Sequence, residues 1–228
     1  MAPASTANDP TLERERERIA ASARLLASEG LVLGTSGNVS ERSGELVAIT
    51  PTGAVLAELE PGQIAVVDME GTQVHGELAP TSELDLHLGI YSRHGAGGVV
   101  HTHSPMATAL SCVLDEVPCV HYSMLLLGGA VPVSPHETFG TPELAAGVID
   151  SLEGRTAALM ANHGAVTHAG DVEQATELAR LLEWACGVYW HAQAVGPPRA
   201  LSADDQQAVI TAALERGYGK TKPAEGES

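Results

Sequence analysis

The chain has 228 residues, a formal net charge of -17 and 44% hydrophobic residues. That content excludes a disordered chain, and the acidity excludes the clustered basic surface that a nucleic-acid partner needs. Aromatics are only 3%, so layers of small aliphatic side chains are expected to fill the core of one α/β domain.

Taken in chain order, residues 1–8 are small and polar and read as a flexible tail. Asp9 and Pro10 read as the N-cap and first position of a helix that runs through Ile19, Leu25 and Leu26 and stops at Gly30. Within it Glu13, Arg14, Glu15, Arg16, Glu17 and Arg18 alternate in charge, the pattern of a solvated face with mixed ion pairs. Gly34 to Ser40 is turn-rich. Leu46–Thr50, Ile64–Val67 and Thr72–His75 read as short strands. A helix opens at Pro80-Thr81-Ser82-Glu83 and continues to about His94. Gly98 to His103 reads as a buried strand leading into a helix at Ser104-Pro105. A further helix starts at Gly140-Thr141-Pro142-Glu143, and Ala157–Met160 is a strand ending at Asn162-His163-Gly164. The longest helix spans about 171–195, with Leu178, Leu181, Leu182, Ala185 and Val188 at helical spacing. A last helix covers roughly 203–216, and residues 221–228 form a second flexible tail. Alternating elements argue for a central sheet covered by helices, with the direction of its strands left open.

Cys112, Cys119 and Cys186 form no ladder and no Cys-x-x-Cys motif, which suits reduced thiols in a cytoplasmic protein. No stretch reaches the roughly 18 to 20 apolar residues that span a membrane. Residues 1–9 lack the basic start and apolar segment of a secretory signal.

The histidines carry the first chemical signal. Residues two apart in a strand share a face, so His101 and His103 project together at the end of an apolar run. His163 stands where a second apolar strand meets a tight glycine turn. Three buried imidazoles without partners are costly, whereas three neutral rings on one divalent ion satisfy one another. Three protein nitrogens leave coordination positions open, as in a catalytic site; the ligand type suits Zn2+, with Mn2+, Co2+ or Fe as alternatives. His75, His87, His94, His168 and His191 read as surface residues or as supports for others.

A second signal lies in Ser36-Gly37-Asn38, Thr52-Gly53 and Thr81-Ser82. Each pairs a hydroxyl or amide side chain with flexible or helix-starting backbone N–H groups. Together they read as an anion site built from backbone dipoles, needing no lysine or arginine. Neither a Walker A loop nor a dinucleotide fingerprint is present. Glu83, by position alone, is an acidic residue in a first helical turn.

Gly37-Asn38-Val39-Ser40, Thr50-Pro51-Thr52-Gly53, Thr81-Ser82-Glu83, His101-Thr102-His103 and Asn162-His163-Gly164 together resemble, in order, the class II aldolase/adducin family. Val120-His121-Tyr122 and Thr138-Phe139-Gly140-Thr141 resemble its L-fuculose-1-phosphate aldolase branch. The resemblance implies a three-layer α/β/α sandwich around a largely antiparallel sheet, and a homotetramer with active sites at subunit interfaces. It implies one divalent metal per chain, held by His101, His103 and His163, with Glu83 as acid/base and fourth ligand of the empty site. It places a sugar phosphate on Gly37, Asn38, Thr52, Gly53, Thr81 and Ser82, and puts Tyr122 and Tyr218 at the aldehyde end. The implied reaction is reversible cleavage of a ketose 1-phosphate to dihydroxyacetone phosphate and an aldehyde.

Similar aldolases carry an aromatic residue shortly before the terminal tyrosine; here Glu215, Arg216 and Gly217 precede Tyr218. Family epimerases carry an aspartate just beyond the histidine aligned with His121. Tyr122 and Ser123 follow here, which favours an aldolase. A methylthioribulose-1-phosphate dehydratase and a sugar-acid phosphate decarboxylase remain alternatives with the same ligands. Retention of the three histidines and Glu83 argues against a metal-free adducin-like scaffold.

Overall fold

Period-two alternation along the strands sorts the core onto two faces of one sheet. A computed structural model describes residues 10–217; the expected tails, the Asp9 cap and Tyr218 lie outside them. The strands are β1 (Asn38–Ser43), β2 (Leu46–Ile49), β3 (Ala65–Asp68), β4 (Gln73–His75) and β5 (Gly98–Thr102). They continue as β6 (Glu116–Val117), β7 (Val131–Ser134), β8 (Ala157–Met160) and β9 (Gly164–Ala169). The spatial order is β4-β3-β2-β1-β5-β9-β8-β7-β6. The β7–β8 pair is parallel and its neighbours are antiparallel, so the sheet is largely antiparallel as expected.

Among the described residues six α-helices cover it: α1 (Glu13–Ser28), α2 (Leu84–His94), α3 (Pro105–Ser111), α4 (Pro142–Ser151), α5 (Val172–Val195) and α6 (Ala203–Arg216). Val39, Ala48, Val66 and Val100 pack with Ile19, Ala23 and Leu26 of α1 and with Val172, Ala175 and Ala179 of α5. Their strand neighbours Val47, Ile49, Ala65, Val67 and Val99 face the other way, onto Leu86 and Ile90 of α2 and Leu144 and Val148 of α4. Farther along α5, Leu182, Ala185 and Cys186 cover Leu159 and Ala165 together with Ala107 and Leu110 of α3. The result is the three-layer α/β/α sandwich. Each fully buried valine, leucine or isoleucine stabilises it by roughly 1.5–3 kcal/mol, before entropy is counted. Among the described residues no helix is long and apolar enough to cross a membrane.

Helix termini follow local chemistry: Thr141 accepts from the Leu144 N–H and Asp171 from the Gln174 N–H. The structure departs from the sequence reading in three places. The first helix begins at Glu13, because Leu12 adopts a left-handed backbone (φ 46°) that turns its side chain into the core. Asn38-Val39-Ser40, expected as turn, opens β1. Strands β6, β7 and β9 carried no expectation. His87, read as a surface residue or a support for others, is fully buried inside α2.

Candidate metal centre

Two strand ends and one helix start converge at one end of the sheet. Antiparallel pairing sets Asn38 of β1 opposite His101 of β5, and His101 opposite Val166 of β9. His101 therefore projects from the same face as Val99, towards α2, and His103 follows two residues on. The β8–β9 connection carries His163 beside Asn162, whose left-handed backbone (φ 57°) is one that asparagine tolerates. The His163 N–H donates to the Met160 carbonyl at 3.0 Å and tightens this turn. Gly164 follows with no room for a side chain: a Cβ there would lie 2.3 Å from the Thr102 carbonyl oxygen and 3.0 Å from His103 Cδ2. The lack of a side chain at Gly164 is thus what lets the two histidine-bearing segments meet.

The three rings face one another edge-on, with every pair of centroids 4.9 Å apart. One nitrogen from each lies within 4.8 Å of the others, and His101 Nε2 is 3.0 Å from His103 Nε2. His101 Nδ1 is 2.9 Å from the Ala165 carbonyl. A carbonyl only accepts, so Nδ1 carries the proton and the Nε2 lone pair is turned to the centre. Burial, reinforced by the neighbouring histidines, pushes the His103 and His163 rings down to about 4, so both are neutral at neutral pH.

Glu83, immediately before α2, is buried beside them. Its Oε2 lies 3.3 Å from His101 Nε2 and its Oε1 3.6 Å from His163 Nε2. Asn38 Nδ2 donates to Oε2 at 2.8 Å. Burial works to raise the Glu83 carboxyl, but His101, the Asn38 hydrogen bond, His163 and His87 together hold it below its ordinary value. Its Oε1 is buried without a hydrogen-bond partner among the described residues. A partnerless carboxylate oxygen beside three imidazoles is costly by itself and is satisfied by one divalent cation. The residues present fit such an ion.

A cavity of about 400 Å³ opens beside the histidines, within the range of small-molecule sites. Gly37, Asn38, Thr52, Gly53, Thr81 and Ser82 all line it, together with Ser36, Glu83, His103 and His163. Backbone bonds hold the threonine turns side by side: the Thr52 N–H donates to the Ala79 carbonyl at 3.0 Å and the Thr81 N–H to the Thr50 carbonyl at 3.1 Å. Gly37 (φ 80°) sits against the His101 carbonyl, where a Cβ would approach to 2.8 Å. Among the described residues, neither a lysine nor an arginine lines the cavity.

His136, Glu137, Thr138, Phe139, Asn162 and Thr35 complete the wall, and none had been singled out for a role. They lie in loops without periodicity, where only the Thr138-Phe139-Gly140-Thr141 and Asn162-His163-Gly164 likenesses gave a signal. Tyr122 is not brought into this cavity by its own chain: it is half-exposed, in a 3-10 turn against the His121 ring, centroids 4.4 Å apart.

Comparison with known proteins agrees with this geometry. Residues 17–190 match the class II aldolase and adducin N-terminal domain. A 5-deoxy-D-ribulose 1-phosphate aldolase of Bacillus thuringiensis serovar kurstaki is 36% identical over 212 residues, covering 92% of this chain and 99% of the relative. An L-fuculose phosphate aldolase of Escherichia coli K12 is 36% identical over 183 residues, covering 79% and 85% respectively. A solved L-fuculose 1-phosphate aldolase superposes with a TM-score of 0.85 at 30% identity, covering 88% of this chain and 96% of its own. The chain belongs to the class II aldolase and adducin family, as one of its lyases.

Proposed function

We propose that the chain is a metal-dependent aldolase that reversibly cleaves a short ketose 1-phosphate to dihydroxyacetone phosphate and an aldehyde. The observation that carries this reading is Glu83 Oε1: a buried, partnerless carboxylate oxygen beside three imidazoles, at the wall of a hydroxyl- and glycine-lined cavity.

The roles follow from position. The N–H groups of Thr52 and Thr81 are already engaged, whereas among the described residues no protein acceptor takes those of Gly37, Gly53 or Ser82. These donors, with the Thr52 and Ser82 hydroxyls, would hold the phosphate dianion without a cationic side chain. Glu83 would move the proton at the carbon of dihydroxyacetone phosphate that forms or loses the bond. A divalent ion on His101, His103 and His163, zinc by ligand type, supplies Lewis-acid polarisation of the substrate carbonyl, the task a lysine Schiff base performs in other aldolases. Tyr122 would assist at the aldehyde end and Tyr218 would reach it from a neighbouring copy, in the homotetramer that the family resemblance implies. A cytoplasmic setting fits the unpaired cysteines.

The substrates named for the relatives, L-fuculose 1-phosphate and 5-deoxyribulose 1-phosphate, share the dihydroxyacetone phosphate half and a terminal methyl. The cavity described above suits the shared half; the identity of the aldehyde is the part to be mapped. The zinc-loaded protein should be incubated with each, and triose phosphate release followed with a coupled dehydrogenase. Release that EDTA abolishes and zinc restores is expected. No release from either, with one metal per chain, would move the reading to a family epimerase, dehydratase or decarboxylase, or to an aldolase for a different sugar phosphate.

A further inference from the structure

We propose that His87 is a positioning residue for Glu83, acting through Asn38, and that it makes Oε2 the anchored oxygen and Oε1 the oxygen that exchanges the proton. This rests on the proposed function for the word proton, though the anchoring itself can be tested without substrate. Glu83, His87 and Tyr91 are four residues apart and form one stripe along α2, buried against Asn38 and Ser40 on one face of β1. A helical period thus meets a strand period through polar side chains alone.

The contacts run in a line. Tyr91 Oη lies 2.6 Å from Ser40 Oγ, and Ser40 Oγ lies 2.6 Å from His87 Nδ1. His87 Nε2 meets Asn38 Oδ1, and Asn38 Nδ2 reaches Glu83 Oε2 at 2.8 Å. Chemistry fixes the sense of every bond. A carboxylate oxygen only accepts, so the Asn38 NH2 points at Glu83 and its carbonyl at His87. That carbonyl only accepts, so His87 donates from Nε2 and presents a lone pair at Nδ1. Ser40 must then donate to His87 and accept from Tyr91. Reversing any one link sets two hydrogens or two lone pairs face to face in a buried site.

Asn38 is therefore unable to flip its amide while His87 is in place, and Glu83 Oε2 stays engaged as an acceptor. Oε1 is left as the oxygen facing His163 and the cavity. Burial, only partly offset by Glu83, also keeps the His87 ring neutral, which the line requires.

The test uses the full-length protein with zinc alone as ligand. Removing a partner that orients a metal ligand typically costs 10–100-fold in metal affinity. His87→Leu should weaken zinc binding by about that factor in chelator competition, and His87→Gln, whose amide nitrogen can replace Nε2, should recover most of it. Long-range 1H–15N spectra of the wild-type protein should show His87 as the Nε2–H tautomer, its signal assigned by its loss in His87→Gln. Should His87→Leu not fold, Ser40→Ala leaves the ring in place and should move the His87 Nδ1 resonance. In an active enzyme, kcat should fall about 10–100-fold in His87→Leu with KM nearly unchanged. An Nδ1–H tautomer, or a folded His87→Leu with wild-type zinc affinity, overturns the proposal. Absence of aldolase activity alone would count against the proposed function and leave the zinc and tautomer results to decide this one.

Discussion

Asn38 stands directly opposite His101 in the β1–β5 ladder. Sheet register therefore fixes how the residue that anchors Glu83 lies relative to one of the three clustered imidazoles. A slip of one residue would turn Asn38 and Ser40 towards α1 and put Val39 in the site. The apolar pattern that positions the core thereby also positions the chemistry.

Glu83→Gln keeps the shape and removes the charge. With the three histidines intact, zinc should still bind at one per chain. General acid–base catalysis contributes about 10²–10⁴-fold, so kcat should fall by that order. Solvent deuterium exchange into dihydroxyacetone phosphate reads the proton step separately and should fall in parallel. A variant within tenfold of wild type would remove Glu83 from the mechanism.

Metal removal should cost stability as well as activity. A ligand at a hundred times its dissociation constant stabilises a folded protein by about 2.7 kcal/mol. Zinc added to the stripped protein should therefore raise Tm by several degrees, and His163→Ala should abolish that rise. Equal melting curves with and without zinc would mean that the three rings hold no ion.

Gly164 and Gly53 separate packing from backbone conformation. A Cβ at Gly164 would collide with the Thr102 carbonyl at 2.3 Å, so Gly164→Ala should cost about 1–3 kcal/mol. By moving β9 away from β5 it should also weaken zinc binding. At Gly53 a Cβ meets nothing within 4 Å, but the backbone is left-handed (φ 71°). Gly53→Ala should cost about 1–2 kcal/mol of strain and leave zinc affinity unchanged. Urea unfolding with zinc competition on the same samples distinguishes the two; equal zinc affinity in both variants would refute the packing argument.

Ser82 lines the cavity from the segment just before α2. If it binds phosphate, Ser82→Ala removes a hydrogen bond to a charged group, worth about 1.5–3 kcal/mol. KM for a ketose 1-phosphate should rise at least tenfold while kcat changes little, because the phosphate is remote from the bond that breaks. A drop confined to kcat would place Ser82 elsewhere in the reaction.

Much of the site was legible because its residues sit where periodicity ends. His101 and His103 interrupt an apolar run at spacing two, and His163 follows another apolar strand at a glycine turn. The turns that line the cavity were readable from hydroxyl, amide and glycine clusters. Strand β1 was not, because Asn38 and Ser40 are polar yet buried: the site spends the positions that would have shown alternation. For the same reason His87 reads as either a surface residue or a support for others, since a histidine on a helix looks solvated until its partners on another strand are known. His136 stands in an aperiodic loop, and nothing local marks it as cavity wall. Tyr122 rests on the family likeness alone, and in this chain it is half-exposed against the His121 ring, away from the cavity lining.

His87 also gives a pH signature. Its folded pKa is pushed down to about 3 by burial, partly offset by Glu83, against an ordinary value of 6.5. Below pH 6.5 the unfolded chain therefore takes up a proton that the folded chain refuses, and stability falls as pH falls. The slope is about 1.4 kcal/mol per pH unit for one group, or about 2 kcal/mol between pH 6.5 and 5. Other groups titrate too, and the fall in net negative charge acts in the opposite direction, so wild type should be compared with His87→Gln. Most of those contributions are common to the two proteins and cancel in the comparison. In urea unfolding of metal-stripped samples, the stability difference between wild type and variant should shift against wild type by about 2 kcal/mol from pH 7 to pH 5. A difference independent of pH would mean that His87 takes up its proton equally in both states. The ring would then be open to water, and the fixed line of hydrogen bonds from Tyr91 to Glu83 would not hold.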